Sequence, residues 1–397
     1  MIKFTEEQQL MVESLRELVK KYPDSYFLKN DEERRYPSEL AADLYENGFT
    51  LMGVPEEYGG TPADTKTLCL VAEELGRVAA PVSALVTSLT VQDILEFGTE
   101  EQKRKTMTAL EETKGSIPFA LAITEPQGGS DNDTMASTYK RGEDGKLHLN
   151  GHKCFITNAD YCPYMFFLCK DATMLDQPPK KTITCFMVDR NTPGITIKTI
   201  DKIGQHSLNT CEVYYDDVIV EESDIVGQEH NGFMFLMKNF EAERMVMASA
   251  LLGWAECAFE DAARYANQRV AFDNTIGSYQ LIQKKITDMY VKIQNMKNLI
   301  YTTAEEMDEG TGEPRLSTAL TKYYVGQTTM EVLDDAVQIF GAGATATPPP
   351  ADPRNTAPIP GTLMSPSPSS RASTCSPPTR KPPSRRTIST PPGARRN

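Results

Sequence analysis

The chain has 397 residues, enough for two or three domains with a sizeable core, and its 55 acidic against 41 basic side chains give a net charge of −14. This charge disfavours a nucleic-acid or anionic-membrane surface as partner. No secretory segment and no apolar run of about eighteen residues is present, which predicts no membrane insertion. Eight cysteines without a CxxC pair, and only four histidines, predict no metal centre and a reducing, cytoplasmic compartment.

The first third of the chain is predicted to be helical. Apolar residues recur at helical spacing from residue 6 to 19 and again after Pro37, and further helices are predicted over 65–78, 84–97 and 100–110. Glu73, Glu74 and Arg77 are predicted to lie on a solvated helix face. We expect an N-terminal helical domain over residues 1–117.

The apolar period changes near Ile117. Strands are predicted over 164–169, 182–188, 195–200 and 211–220, separated by turn residues. Residues 147–156 alternate around Asn150-Gly151, which is typical of a β-hairpin turn. These patterns predict a middle antiparallel β domain over residues 118–228.

Helical patterns resume near Gly232, with long helices predicted over 240–269, 279–308 and 317–340, and they indicate a C-terminal helical-bundle domain over 229–345. Helices, then strands, then helices indicate an α+β fold in three blocks, not an alternating βαβ chain. The sequence contains no GxGxxG or Walker motif, so a nucleotide would have to be held in another way.

The alanine-rich helix that is predicted to begin at Phe240 contains Glu241, Glu243 and Arg244. A carboxylate in apolar surroundings has its pKa raised towards that of a working general base. Two alternatives remain open from the residues alone. Arg244 would hold a neighbouring carboxylate ionised, or the segment is a solvated first turn whose acids lie favourably near a helix N-terminus.

Residues 346–397 have a different composition from the rest of the chain. From Pro348 onwards the segment holds 14 of the 26 prolines, and seven Arg and one Lys against one Asp give it a charge of +7. No apolar periodicity remains. Such a composition predicts a disordered, basic tail.

Four motifs in order resemble those of the acyl-CoA dehydrogenase family: residues 123–131 (ITEPQGGSD), 150–158 (NGHKCFITN), 231–233 (NGF) and 269–272 (RVAF). The resemblance spans residues 5–341. It implies a helical domain, a β domain and a four-helix bundle, FAD bound between the last two, a homodimer or homotetramer, an acyl-CoA or enoyl-CoA thioester substrate and electron-transfer flavoprotein as redox partner. Residues 154–157, 257–270 and 296–301 are most similar to family members that reduce crotonobetainyl-CoA to butyrobetainyl-CoA.

The resemblance also implies roles for individual residues. A minority of the family carries its base at the position of Glu243, which would remove or return the proton α to the thioester carbonyl while the flavin exchanges a hydride with the β carbon. Substrate contacts would fall on Ser130, Phe240, Glu241 and Arg244. FAD contacts would fall on Leu121, Ile123, Thr124, Gly129, Ser130, Phe155, Ile156, Thr157, Arg269, Phe272, Gln280, Gln338 and Gly341. Of these, Arg269, Phe272 and Gln280 would reach the FAD of the partner subunit.

The sequence departs from the family pattern at Asp273 and Ala342, where glycine is usual, and throughout the tail. Codons for residues 341–345 that are read one base early can encode the family's Gly-x-Gly-Tyr, so we interpret the tail as the product of a frameshift. The missing loop would supply an oxyanion donor, whose loss typically costs ~10²–10³ in rate. Two alternatives therefore stand beside the crotonobetainyl-CoA assignment: a general short-chain acyl-CoA dehydrogenase, and a catalytically impaired flavin-fold binding protein.

Overall fold

A computed structural model describes residues 2–78, 80, 83–116 and 119–345, with the side chains of 83–89, 233–239 and 345 outside the description. The predicted disordered tail, 346–397, lies outside the described residues. No helix in the described part of the chain is long and apolar enough to cross a bilayer.

The N-terminal domain is helical, as predicted. Capping boxes at Thr5 and Thr99 begin its first and last helices. In each, the threonine hydroxyl accepts the N–H of a glutamine three residues later, and the side-chain oxygen of that glutamine accepts the threonine N–H. The helix over Asp24–Glu32 had no clear signal in the sequence. The six helices are α1 (Glu6–Val19), α2 (Asp24–Glu32), α3 (Ser38–Glu46), α4 (Thr65–Arg77), α5 (Ser83–Phe97) and α6 (Glu100–Glu112).

The middle domain is one seven-stranded sheet, mainly antiparallel, in the order β1-β4-β2-β3-β7-β6, with β5 on the other side of β4. The pairs β1·β4 and β2·β4 are parallel. The strands are β1 (Phe119–Ala122), β2 (Thr138–Arg141), β3 (Leu147–Thr157), β4 (Tyr164–Asp171), β5 (Ile183–Asp189), β6 (Ile195–Thr199) and β7 (Thr210–Val220).

The hairpin predicted at Asn150-Gly151 is wrong, because both residues lie inside the single strand β3. A register shift against β7 occurs between Leu149 and Gly151, and the Asn150 side chain accepts a hydrogen bond from the Asp217 N–H at 2.9 Å. A Cβ atom at position 151 would lie 2.0 Å from the Ser137 hydroxyl. Glycine is therefore required here by close packing and not by a turn.

The C-terminal domain contains three long helices in the described residues: α7 (Gly232–Gln268), α8 (Gln280–Glu309) and α9 (Pro314–Phe340). The short hairpin of β8 (Val270–Ala271) and β9 (Asn274–Thr275) follows α7. Helix α4 crosses α7 at very short range, since Cβ atoms on Gly76 and Gly253 would lie 2.2 and 2.1 Å from backbone oxygens of the facing helix. The N-terminal domain and the bundle thus share a tightly packed helix crossing.

The prediction that Glu73 and Glu74 are solvated is wrong, because Glu73 is buried at this crossing and Glu74 is buried against Arg16 of α1. Lys297 of α8 donates to Glu73 at 2.7 Å and to Glu256 of α7 at 3.0 Å, and the Tyr301 hydroxyl donates to Glu73 at 2.5 Å. The pattern of charges at i, i+1 and i+4 on α4 is the same for a solvated face and for a buried ion-pair network, so the sequence does not distinguish them.

Candidate active site

Helix α7 places the predicted base well inside the helix. It begins at Gly232, eight residues before Phe240, so Glu241 and Glu243 lie more than two turns from its N-terminus. The alternative of a solvated first turn is therefore wrong. All of Phe240, Glu241 and Glu243 are half-buried.

The Glu243 carboxyl has the electrostatic character of a general base. Burial raises its pKa, and the positive charges of Arg244 and of Lys322 on α9 oppose the rise without cancelling it. Among the residues that the structure describes, Glu243 makes no hydrogen bond and no ion pair within 4 Å. A half-buried carboxyl without a protein partner is available to exchange a proton with a bound molecule.

A strained, exposed aromatic residue lies on the β domain. The pairing of β3 with β7 shifts between Lys153 and Ile156, and Phe155 in this bulge has φ of +59° with 66% of its surface exposed. A bulky residue at positive φ is uncommon and concentrates at functional sites. Ile156 is buried in the sheet core, so it can offer a ligand only its backbone, whereas the neighbouring Thr157 is exposed.

The loop after β1 meets both Phe155 and α7. The Cys154 N–H donates to the Thr124 carbonyl at 2.9 Å, which joins the loop to the bulge. Leu121, Ile123 and Phe240 pack against the same apolar cluster, which includes Phe166. The structure thus brings the start of the loop, the bulge and the turn of α7 that carries Glu243 into one region, with Gly129 and Ser130 exposed farther along the loop.

The remaining predicted contacts lie at the other end of α7. Gln268, the last residue of α7, is 25 residues from Glu243, roughly 38 Å along the helix at about 1.5 Å per residue. Here Arg269 and Gln280 are exposed, and Phe272 at the tip of the β8–β9 hairpin is 90% exposed. Gln338 and Gly341 lie at the same end, where the rings of Tyr265 and Phe340 approach to 5.0 Å. One chain therefore holds two separate groups of predicted contacts.

Two features near the bulge were missed from the sequence. The Nδ2 atom of Asn158 is buried and has no hydrogen-bond partner in the described residues, so it is a donor free for a ligand. Lys153 and Glu125 form a fully buried ion pair at 2.7 Å. A lysine in a predicted strand segment, followed by Cys154, Phe155 and Ile156, was the signal available for the buried ion pair.

One cluster in the described part of the chain has the composition of a cation site: ligand atoms of Asp171, Glu229 and His230 lie within 4.8 Å of one another. The Thr173 N–H and His230 already bond Asp171, and the Tyr139 hydroxyl donates to Glu229 at 2.9 Å. Since these contacts occupy the carboxylates, we assign the cluster to fixing the start of α7 on the β domain.

Family models match the three domains in order: acyl-CoA dehydrogenase N-terminal domain over 5–113, middle domain over 120–218 and C-terminal domain over 230–352. The chain is 47% identical over 338 residues to the probable acyl-CoA dehydrogenase YdiO of Escherichia coli K12, covering 85% of this chain and 87% of that protein.

Solved structures show the same likeness. Butyryl-CoA dehydrogenase from Megasphaera elsdenii is 30% identical with a TM-score of 0.77, covering 86% of this chain and 90% of that chain. A chain from a structure of the electron transferring flavoprotein of Acidaminococcus fermentans is also 30% identical, with a TM-score of 0.78 and the same coverage. The protein therefore belongs to the acyl-CoA dehydrogenase family, FAD-dependent oxidoreductases that act on acyl-CoA thioesters.

Proposed function

We propose that Glu243 is the base of this acyl-CoA dehydrogenase. The observation that supports it is a half-buried carboxyl with raised pKa and no hydrogen-bond or ion-pair partner in the described residues. The base removes the α proton when an acyl-CoA is oxidised and returns it when an enoyl-CoA is reduced. FAD, when bound, supplies the exchange of a hydride with the β carbon. Ser130, Phe240, Glu241 and Arg244 are proposed to hold the thioester and the pantetheine arm.

The residues around the bulge fit a planar, hydrogen-bonding cofactor. Phe155 offers an exposed ring for packing, and Thr157 and the Asn158 amide offer polar groups at its edge. We assign the flavin half of FAD to this region, with contacts from Leu121, Ile123, Thr124, Gly129, Ser130, Phe155, Ile156 and Thr157.

A second subunit is proposed to complete each FAD site. The end of α7 is roughly 38 Å along the helix from Glu243, too far for residues there to serve the same cofactor within one chain. The residues at that end are Arg269, Phe272, Gln280, Gln338 and Gly341. Arginine suits the pyrophosphate because its guanidinium bonds in a bidentate manner. An exposed apolar stripe on α9 supports a homodimer or homotetramer, and it consists of Leu316, Leu320, Tyr323, Met330 and Val337.

For the substrate we propose the crotonobetainyl-CoA and butyrobetainyl-CoA pair. The support is the sequence resemblance alone, and much of it lies away from the base: Met296 and Tyr301, for example, are buried in the core of the bundle. The likeness to butyryl-CoA dehydrogenase favours a general short-chain acyl-CoA dehydrogenase as the second candidate.

We further propose electron-transfer flavoprotein as redox partner and a cytoplasmic location, the latter supported by seven free cysteines in the described residues.

The frameshift origin of residues 346–397 is likewise a proposal. Sequencing the gene tests it, and an uninterrupted reading frame in confirmed DNA would refute it. If the tail replaces a loop that holds FAD, the chain is instead a catalytically impaired flavin-fold binding protein.

The test of the function uses the purified full chain, reconstituted with FAD and reduced with dithionite under anaerobic conditions. Reappearance of the flavin absorption on adding crotonobetainyl-CoA, but not crotonyl-CoA, would support the proposed substrate. Reappearance with crotonyl-CoA, but not with crotonobetainyl-CoA, would support the second candidate.

Glu243→Gln should slow re-oxidation of the flavin by ~10²–10⁴. Glu260→Gln is the control, because Glu260 lies on the same helix and has no proposed role in the site, and equal losses in both variants would refute the assignment of the base.

A further inference from the structure

The buried pair of Lys153 and Glu125 lies where two segments of the β domain meet. Lys153 is fully buried, and its ammonium donates to the Glu125 carboxylate at 2.7 Å and to the Ile123 carbonyl at 3.0 Å. The ammonium nitrogen also lies over the Phe167 ring, 5.2 Å from the ring centroid. The ammonium therefore contacts a carboxylate, a backbone carbonyl and an aromatic ring.

The carboxylate of Glu125 closes the loop that follows β1. It accepts the N–H groups of Ala136 at 2.6 Å and Ser137 at 3.1 Å, and the side-chain amide of Gln127. The backbone of Glu125 also exchanges two hydrogen bonds with Gly128. One side chain thus ties together both ends of the segment that presents Gly129 and Ser130.

The same pair connects this loop to the bulge in β3. The Lys153 side chain holds Ile123 and Glu125, and the N–H of the next residue, Cys154, holds the Thr124 carbonyl at 2.9 Å. Three consecutive loop residues are therefore bound to two consecutive residues at the start of the bulge, and the residue that follows is the strained, exposed Phe155.

A buried ion pair is a weak contribution to stability, because the cost of desolvating both charges offsets their attraction, and apolar replacements of similar volume are often equally stable. Its directional contacts can instead fix a geometry. We propose that Lys153 and Glu125 are positioning residues, which hold the 123–130 loop and the Phe155 bulge in the mutual arrangement that receives the flavin. This inference rests on the proposed flavin contacts of these two segments.

The decisive variant is the double substitution Lys153→Met with Glu125→Gln in the full chain. It removes both charges at nearly constant volume, and the glutamine retains an oxygen for the N–H groups of Ala136 and Ser137. We expect a melting temperature close to that of the wild type. We expect the FAD dissociation constant, from quenching of flavin fluorescence, to rise on the order of ten-fold or more, as it does when residues behind the direct ligands of other sites are replaced. The visible circular dichroism of the bound flavin should change as well.

A second measurement needs no cofactor. Hydrogen exchange of the apo chain should show slow exchange at Glu125, Ala136, Ser137 and Cys154 in the wild type, and exchange at least ten-fold faster at Glu125 and Cys154 in the double variant. Fast exchange at these amides in the wild type would overturn the inference, and so would a double variant with unchanged FAD affinity, flavin spectrum and exchange.

Two controls separate this inference from the proposed function. Glu74→Gln breaks the ion pair between the buried Glu74 of α4 and the half-exposed Arg16 of α1, which lies in the N-terminal domain. If it weakens FAD binding as much as the double variant does, the effect is general destabilisation and the positioning role is refuted. Phe155→Ala tests the flavin contact itself. No effect of Phe155→Ala on the bound flavin overturns the contact assignment, whereas an effect there with none in the double variant overturns the positioning role alone.

Discussion

Glu73→Gln provides a quantitative test of the buried charges between the N-terminal domain and the bundle. In the described part of the chain, the three carboxylates of Glu73, Glu256 and Glu260 have two cations, Lys297 and Arg77, within hydrogen-bond distance. One carboxylate therefore lacks a full counter-charge. Burial and the like charge of Glu256 raise the pKa of Glu73 from 4.5 to about 7, despite its bonds to Lys297 and to Tyr301.

The sign and size of the effect follow from this shift. Between pH 4.5 and about 7 the folded chain retains a proton at Glu73 that the unfolded chain has released, so the free energy of unfolding falls as the pH rises through this window. The contribution is complete below pH 4.5 and lost above about pH 7. The difference between the two pKa values corresponds to about 3 kcal/mol. Because glutamine resembles the protonated acid, the variant should exceed the stability of the wild type by less than about 1 kcal/mol at pH 5 and by up to about 3 kcal/mol at pH 8.

The assay is urea unfolding of the FAD-saturated protein at pH 5, 6, 7 and 8, followed by the fluorescence of Trp254, the single tryptophan, which lies on α7 two residues before Glu256. Saturating FAD keeps the contribution of the cofactor constant. Glu260→Gln is the control, since Glu260 is half-exposed and its pair with Arg77 should be worth under about 1 kcal/mol at every pH. A constant difference between wild type and Glu73→Gln from pH 5 to 8 would show that Glu73 is ionised throughout and refute the reasoning.

Three further predictions concern activity, the β8–β9 hairpin and assembly. Because burial raises the pKa of Glu243, kcat/KM for acyl-CoA oxidation should rise with pH through an apparent pKa above 4.5, and Glu243→Gln should abolish this limb of the profile. Asp273→Gly should raise the urea midpoint by an amount equivalent to ~1 kcal/mol, because residue 273 has φ of +65°; a lower midpoint would contradict this. Tyr323→Glu with Met330→Glu, on the exposed stripe of α9, should reduce the mass measured by light scattering to that of a smaller oligomer, and an unchanged mass would exclude this stripe as the subunit interface.

The three-block α+β fold could be predicted because each block has its own apolar period. Six helices and four strands were predicted within a few residues of their observed bounds, since amphipathic spacing is a local property. The hairpin prediction at Asn150-Gly151 failed because the conformation there is not a local property. It is set by Ser137, just before β2, and by Asp217 on β7, which the local pattern does not include.

Charged residues were predicted least well, because the same sequence pattern suits water and a buried partner. Glu73 has its partners 224 and 228 residues away in Lys297 and Tyr301, and Lys153 has its partner 28 residues away in Glu125. Only the fold brings such residues together. The motifs around Glu125 and Lys153 nevertheless indicated that these segments matter, although not that their charges meet.

The depth of Glu243 depends on where α7 begins. The sequence predicts that helical patterns resume near Gly232, where α7 does begin, but the pattern is strong only from Phe240, because the apolar run from Phe233 gives no amphipathic period. Those eight residues move Glu243 from a first turn, where the N-terminal dipole and water would lower the pKa of a carboxyl, to a half-buried turn where burial raises it. The residues of α7 that precede Phe240 therefore determine the direction in which the pKa of this carboxyl is shifted.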